Sequence, residues 1–232
     1  MIKKIDKYSY AQGTRSTVHG SRSYDVAGYR LPSVTTILGQ TKDDTYLKKW
    51  IADKGEKEAE RIKNASAVRG TSMHKYLENY VIGKGYEDLT KLGQETKRMA
   101  QKVIDVGLAP VSEYFGSEVT LYYPGLYAGS TDLVGIHNDK ETIIDFKQAN
   151  RPKREEWIGD YKLQAGAYAM AHDQVHGSNI EQCVIMVCTP DLYYQEFKID
   201  GHNLRKAKHD FLRRLDYYHE LMRDEKEVAN GS

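Results

Sequence analysis

Around Pro110 the spacing of apolar residues along this chain changes period, and that change limits the folds open to it. Before it, apolar positions recur at helical spacing. Leu47, Trp50, Ile51 and Ile62 share one side of a helix expected over 44–64, and further helices are expected over 67–82 and 89–106. The last is stopped by Gly107 and Pro110. After it, strands are expected over 116–123, 125–136 and 141–147, joined at Pro124-Gly125 and at the turn HNDK. A helix over 157–176, strands over 183–189 and 193–199, and a final helix over 203–224 complete the order, with the tail EKEVANGS frayed. The first forty residues read as loops and short strands. Helices, three strands, helix, two strands and helix make an α/β protein around a central sheet. It divides into a layer over 1–110 and a core over 111–232, within one compact domain.

Charged residues are 29% of the chain and net charge is +1, so no global basic field advertises nucleic acid, although a local basic groove is compatible with that balance. The 18 tyrosines serve either as core and rim residues or as stacking platforms. No apolar run approaches the ~20 residues that span a bilayer, so no membrane partner is expected. The opening MIKKIDKYSY is too polar for a secretory leader. Cys183 and Cys188, five positions apart on one expected strand, face opposite sides and are not expected to pair, which suits a reducing cytoplasm.

Chemistry concentrates in YAGSTDLVGIHNDKETIIDFKQ. In IIDFK, Asp145 and Lys147 share one strand face while Ile144 and Phe146 point the other way. Asp132 stands thirteen residues before Asp145, a spacing that fits two antiparallel strands and their turn and brings both carboxylates to one end of the sheet. Adjacent carboxylates raise each other's pKa unless a cation intervenes. Mg²⁺ favours such oxygen ligands and keeps places for water and phosphate. The plainer reading is a surface ion pair on an edge strand. Downstream, Gln164 and Tyr168 lie four apart on one helix face; upstream, RGTSMHKYLE places His74 mid-helix.

Taken in order, G-T-x-x-H, G-S-T-D, I-I-D-F-K and Q-x-x-x-Y resemble the RecB-type branch of the PD-(D/E)XK nucleases. With LPSVTTIL, KKW and FLRRLDYY added, residues 30 to 220 are similar to the mitochondrial genome maintenance exonucleases and their phage-encoded relatives. Two cysteines cannot supply the cluster of the four-cysteine exonucleases. The resemblance implies a restriction-endonuclease-like core, a mixed sheet flanked by helices, with N-terminal helices forming a DNA channel. It implies one or two Mg²⁺ (or Mn²⁺) held by His74, Asp132, Asp145 and the Phe146 carbonyl. Lys147 would position or help deprotonate the attacking water and neutralise charge, and Gln164 and Tyr168 would orient Lys147 or grip the substrate. Glu118 matches an acidic position in the family and would stand behind the ligands, or is an ordinary strand carboxylate.

Ser33, Thr35 and Thr36 either donate to phosphates or cap a local element. Lys48, Lys49 and Trp50, with Lys54, Arg61 and Lys63, either wall a single-strand channel or form a solvated face. Lys153 and Arg154 follow the IIDFK strand and are placed to touch the same DNA. The expectation is a metal-dependent exonuclease acting on free single-stranded DNA ends in replication, recombination or repair, in a bacterial host cytoplasm if phage-encoded. Its rival is a non-catalytic DNA-binding or recombination-complex subunit. No G-x-x-x-x-G-K-[ST] loop is present, so a helicase or single-strand annealing partner would be another chain.

Overall fold

A computed structural model describes residues 2–18 and 20–230. Its centre is a six-stranded mixed sheet in the order β1-β5-β6-β7-β8-β9. The strands are β1 (Lys3–Lys4), β5 (Val111–Tyr123), β6 (Tyr127–His137), β7 (Lys140–Gln148), β8 (Gln182–Cys188) and β9 (Tyr194–Asp200). β5, β6 and β7 form an antiparallel meander. Leu126 N–H closes the first turn on the Tyr123 carbonyl at 3.0 Å, with Gly125 at φ +76° beside Pro124. Asn138 and Asp139, at φ +48° and +61°, make the two-residue second turn, whose twist matches that of the flanking strands.

Parallel β7 and β8 are linked by helix α5 (Gly159–His176), and helix α6 (Gly201–Asn230) follows β9. The sheet is covered on both faces. On one, α5, α6 and the short α1 (Val34–Gln40) pack over Ile143, Ile185 and Val187; on the other, α3 (Glu56–Val81) and α4 (Lys91–Lys102) pack over Ile144, Phe146 and Met186. Burial on both faces explains why β7 and β8 read as nearly continuous apolar runs. Cys183 and Cys188 fall in opposite clusters and are unpaired, as their spacing predicts.

Several boundaries differ from the sequence reading. After β1, the short strands expected in the first forty residues pair as a separate antiparallel sheet, β2 (Gly13–Val18), β3 (Ser21–Val26) and β4 (Tyr29–Pro32), and helix α1, which was not expected, follows. The expected break near residue 65 is absent: α2 (Thr45–Lys54) ends at Gly55, φ +80°, and α3 runs unbroken from there. Nothing between Asn64 and Ala67 opposes a helix, whereas Gly55 adopts a conformation most residues avoid. α2 buries no residue. α6 continues to Asn230, past the expected end near 224; Gly231 and Ser232 of the expected frayed tail lie outside the described residues.

Candidate active site

β6 and β7 pair only as far as Leu133↔Ile144. One step beyond, the strands fork between Asp132 and Asp145, and Asp132 Oδ2 accepts the Phe146 N–H at 2.5 Å. On the other flank the register runs Ser117↔Leu133 and Val119↔Thr131, which sets Glu118 opposite Asp132. Three acidic residues therefore stand abreast on β5, β6 and β7. Like charges across a ladder repel. Glu118 also holds φ +53°, a left-handed conformation that a glutamate rarely adopts.

Helix α3 brings the imidazole. Ser66 Oγ donates to Gln148 Oε1 (3.2 Å) and Asn150 Oδ1 (3.0 Å), and Arg69 Nη1 donates to Asn150 Oδ1 (2.9 Å). Gly70 faces β7 there, its hypothetical Cβ at ordinary contact distance, 4.0 Å, from that of Gln148. About one turn on, His74 Nδ1 lies 3.2 Å from Asp132 Oδ1. One ligand atom each from His74, Glu118 and Asp132 falls within 4.8 Å of the other two.

Beside this group Lys147 Nζ pairs with Asp145 Oδ2. Asp145 is buried, and apart from that ion pair its Oδ2 has no hydrogen bond. Lys147 Nζ also sits 5.2 Å from the centre of the Tyr161 ring, on the first turns of α5.

The protonation pattern follows from burial and from the opposite charges set side by side. Burial pulls the His74 pKa down, but the Asp132 carboxylate outweighs it and holds the imidazolium to about 9. Burial raises the Asp132 carboxyl, and His74 more than reverses that, so Asp132 is held low. Glu118 is exposed as a residue, yet lost hydration at its carboxyl and the nearby Asp132 charge push it up to about 8. Burial also pushes Asp145 up, against the pull of Lys147. Burial lowers Lys147, but Asp145 and Asp132 together raise it, so its ammonium stays charged. At neutral pH His74 and Glu118 therefore hold protons beside the Asp132 carboxylate. An aligned set of hard oxygens, one imidazole and a buried carboxylate oxygen without a hydrogen bond fits a divalent cation.

The remaining expected residues sort by place. Gln164 Nε2 donates to Tyr168 Oη at 3.0 Å, and the Tyr168 ring lies against Gly129, where a Cβ would come within 2.6 Å of it. Gly129 lies inside β6, within the strand expected over 125–136. The ring beside Lys147 is that of Tyr161, about one turn before Gln164, and sequence reasoning missed it. The available signal was an aromatic residue three positions before Gln164. Ser33 caps α1 by accepting the Thr36 N–H at 3.0 Å, and the buried Thr36 hydroxyl donates to the Arg22 carbonyl; Thr35 is exposed. Lys48 and Lys49 are exposed on α2, with Lys48 paired to Asp44, and Trp50 is half-buried. Lys153 and Arg154 lie in the loop that leaves β7 toward α5.

No family model matches the chain, and no curated protein matches it. Among solved structures, a provisionally named exonuclease from Eubacterium rectale aligns at TM-score 0.49 and 12% identity, over 70% of this chain and 68% of that one. An alkaline exonuclease from Laribacter hongkongensis aligns at TM-score 0.32 and 14% identity, over 72% of this chain and 99% of that one.

Proposed function

We propose that this protein is a metal-dependent deoxyribonuclease that hydrolyses phosphodiester bonds at the fork of β6 and β7. The observation that carries the reading is the row Glu118, Asp132 and Asp145 with His74 and Lys147 converging on it. The order of the sequence motifs that resemble PD-(D/E)XK nucleases supports it.

His74, Glu118, Asp132 and Asp145 would hold the ion, with the Phe146 carbonyl on the same strand. Glu118 thereby moves from behind the ligands to among them. A divalent cation there supplies charge neutralisation at the phosphodiester and acidifies water. Asp132 is oriented by the Phe146 N–H. Lys147, its ammonium held by Asp145 and Asp132, would stabilise negative charge building on the phosphate and position or help deprotonate the nucleophile. Tyr161 supports that ammonium, and the Gln164–Tyr168 pair fixes α5 against β6. Preference for free single-stranded ends, with Mg²⁺ or Mn²⁺ as the ion, completes the proposal.

The test incubates end-labelled single-stranded, duplex and circular DNA with the wild type, Asp145→Ala and Lys147→Ala, with Mg²⁺ or EDTA. Metal-dependent degradation of linear DNA by the wild type alone is expected. Degradation that survives in both variants sinks the assigned site, and binding without any degradation favours the non-catalytic alternative.

A further inference from the structure

Between β7 and α5 the chain makes a ten-residue loop, Ala149 to Ile158, that borders the proposed site on both sides. It leaves the strand carrying Asp145 and Lys147 and enters the helix carrying Tyr161. Trp157 lies in it, 44% exposed, an unusual place for the largest apolar side chain. The Arg151 and Arg154 guanidinium carbons lie 5.0 and 5.1 Å from the centre of its ring. Among the described residues no carboxylate pairs with Arg151 or Lys153, and Arg154 has only an exposed 3.8 Å contact to Glu156. The loop is nonetheless held in shape. Lys153 N–H donates to Gln195 Oε1 (2.6 Å) and Gln195 Nε2 donates to the Lys153 carbonyl (2.9 Å), while Ser66 and Arg69 of α3 hold Asn150. Ile158, fully buried, anchors the far end.

An exposed indole flanked by two guanidinium groups, neither held in a close ion pair, on a braced loop is a recognition surface, and single-stranded nucleic acid presents what it matches: a π-face and flanking phosphates. We infer that Trp157 stacks on a nucleobase of single-stranded DNA next to the cleavage position, with Arg151 and Arg154 taking the adjacent phosphates. This rests on the nuclease reading for the course of the strand. An exposed guanidinium–indole contact is weaker than base–indole stacking, so the base displaces the arginines from the ring and the phosphates receive them. Stacking is indifferent to base identity, which suits an enzyme that must pass any sequence.

The experiment measures binding by fluorescence anisotropy in EDTA, with the full chain, using a labelled oligonucleotide of mixed sequence and an abasic one of equal length. Melting curves check that each variant is folded. Trp157→Ala is expected to weaken binding of the mixed oligonucleotide roughly 5- to 150-fold. Trp157→Phe retains most affinity, and on the abasic strand wild type and Trp157→Ala bind alike. Arg151→Ala with Arg154→Ala weakens both strands. Equal affinity of wild type and Trp157→Ala for the mixed strand overturns the inference, as does an equal loss on the abasic strand. Cleavage with Mg²⁺ is read separately. Absence of cleavage with the binding pattern intact removes the nuclease reading and leaves the stacking site, whereas cleavage with the pattern absent does the reverse.

Discussion

Glu118 and Asp132 face each other across β5 and β6, and the molecule carries a cost there that function must offset. The Glu118 carboxyl, raised to about 8, favours folding below its ordinary range near 4.5 and loses that advantage as pH climbs through 8. Glu118→Gln is therefore expected to raise the melting temperature of the metal-free protein at pH 8 and leave it nearly unchanged at pH 4, while weakening divalent-ion binding. Equal melting shifts at both pH values would show that Glu118 is not under strain from charge. The same two protons make metal binding pH-dependent. With His74 at about 9 and Glu118 at about 8 in the metal-free protein, a bound dication displaces both at neutral pH. Calorimetry in buffers of different ionisation enthalpy should record the release of about two protons, with affinity for Mg²⁺ or Mn²⁺ rising with pH up to about 9. For Lys147→Ala, loss of an ammonium aimed at developing charge predicts roughly a 10²- to 10³-fold fall in kcat with the fold intact.

At the scale of elements, the site depends on how closely α5 can approach β6. Gly129 leaves room for the Tyr168 ring, and a methyl group there would stand 2.6 Å from it. Gly129→Ala is expected to cost about 1–3 kcal/mol by overpacking. It would also displace the helix that carries Tyr161 and Gln164, so activity should fall more than stability alone accounts for. Urea unfolding beside single-turnover rates separates the two effects. The α3 interface is the other determinant. Ser66 and Arg69 tie one stretch of that helix to Gln148 and Asn150, and His74 follows about one turn on.

For the whole molecule, a net charge of +1 supplies no strong global field, so the proposed binding of DNA would rest on local cations. The β7–α5 loop gathers Arg151, Lys153 and Arg154. Burial lowers the Lys153 pKa, and the charges of Arg151 and Lys42 lower it further, which places a fourth cation in the same field. Binding of single-stranded DNA should lose affinity with salt, with Arg151→Ala lowering the logarithmic slope by about 0.7. A slope unchanged by that substitution would place the phosphates elsewhere. α2, which buries nothing, stands away from both core clusters with Lys48 and Lys49 exposed. Among the described residues no helix is long and apolar enough to cross a membrane.

Sequence alone determined the elements and their chemistry where the signal is local. The alternation in IIDFK placed Asp145 and Lys147 on the face opposite Ile144 and Phe146. Pro124-Gly125 and HNDK set the hairpins, and the spacing of Cys183 and Cys188 excluded their pairing. Periodicity reports which way a side chain points within its own element, so these could be read directly. It says little of what lies across from it. The short N-terminal strands were expected, but their pairing into one sheet and helix α1 after them were not, because short, mostly exposed segments carry little alternation; Gly55 was overlooked because only its backbone conformation makes it a break. Glu118 was named, but its position opposite Asp132 comes from strand register, which the sequence does not show. The surroundings of Tyr161 and Trp157 could not be read, because one ring meets the Lys147 ammonium and the other two arginines on a loop that Gln195 braces from a distant strand. Register, helix docking and loop bracing join residues far apart in the chain, and only the folded structure brings them within interaction distance.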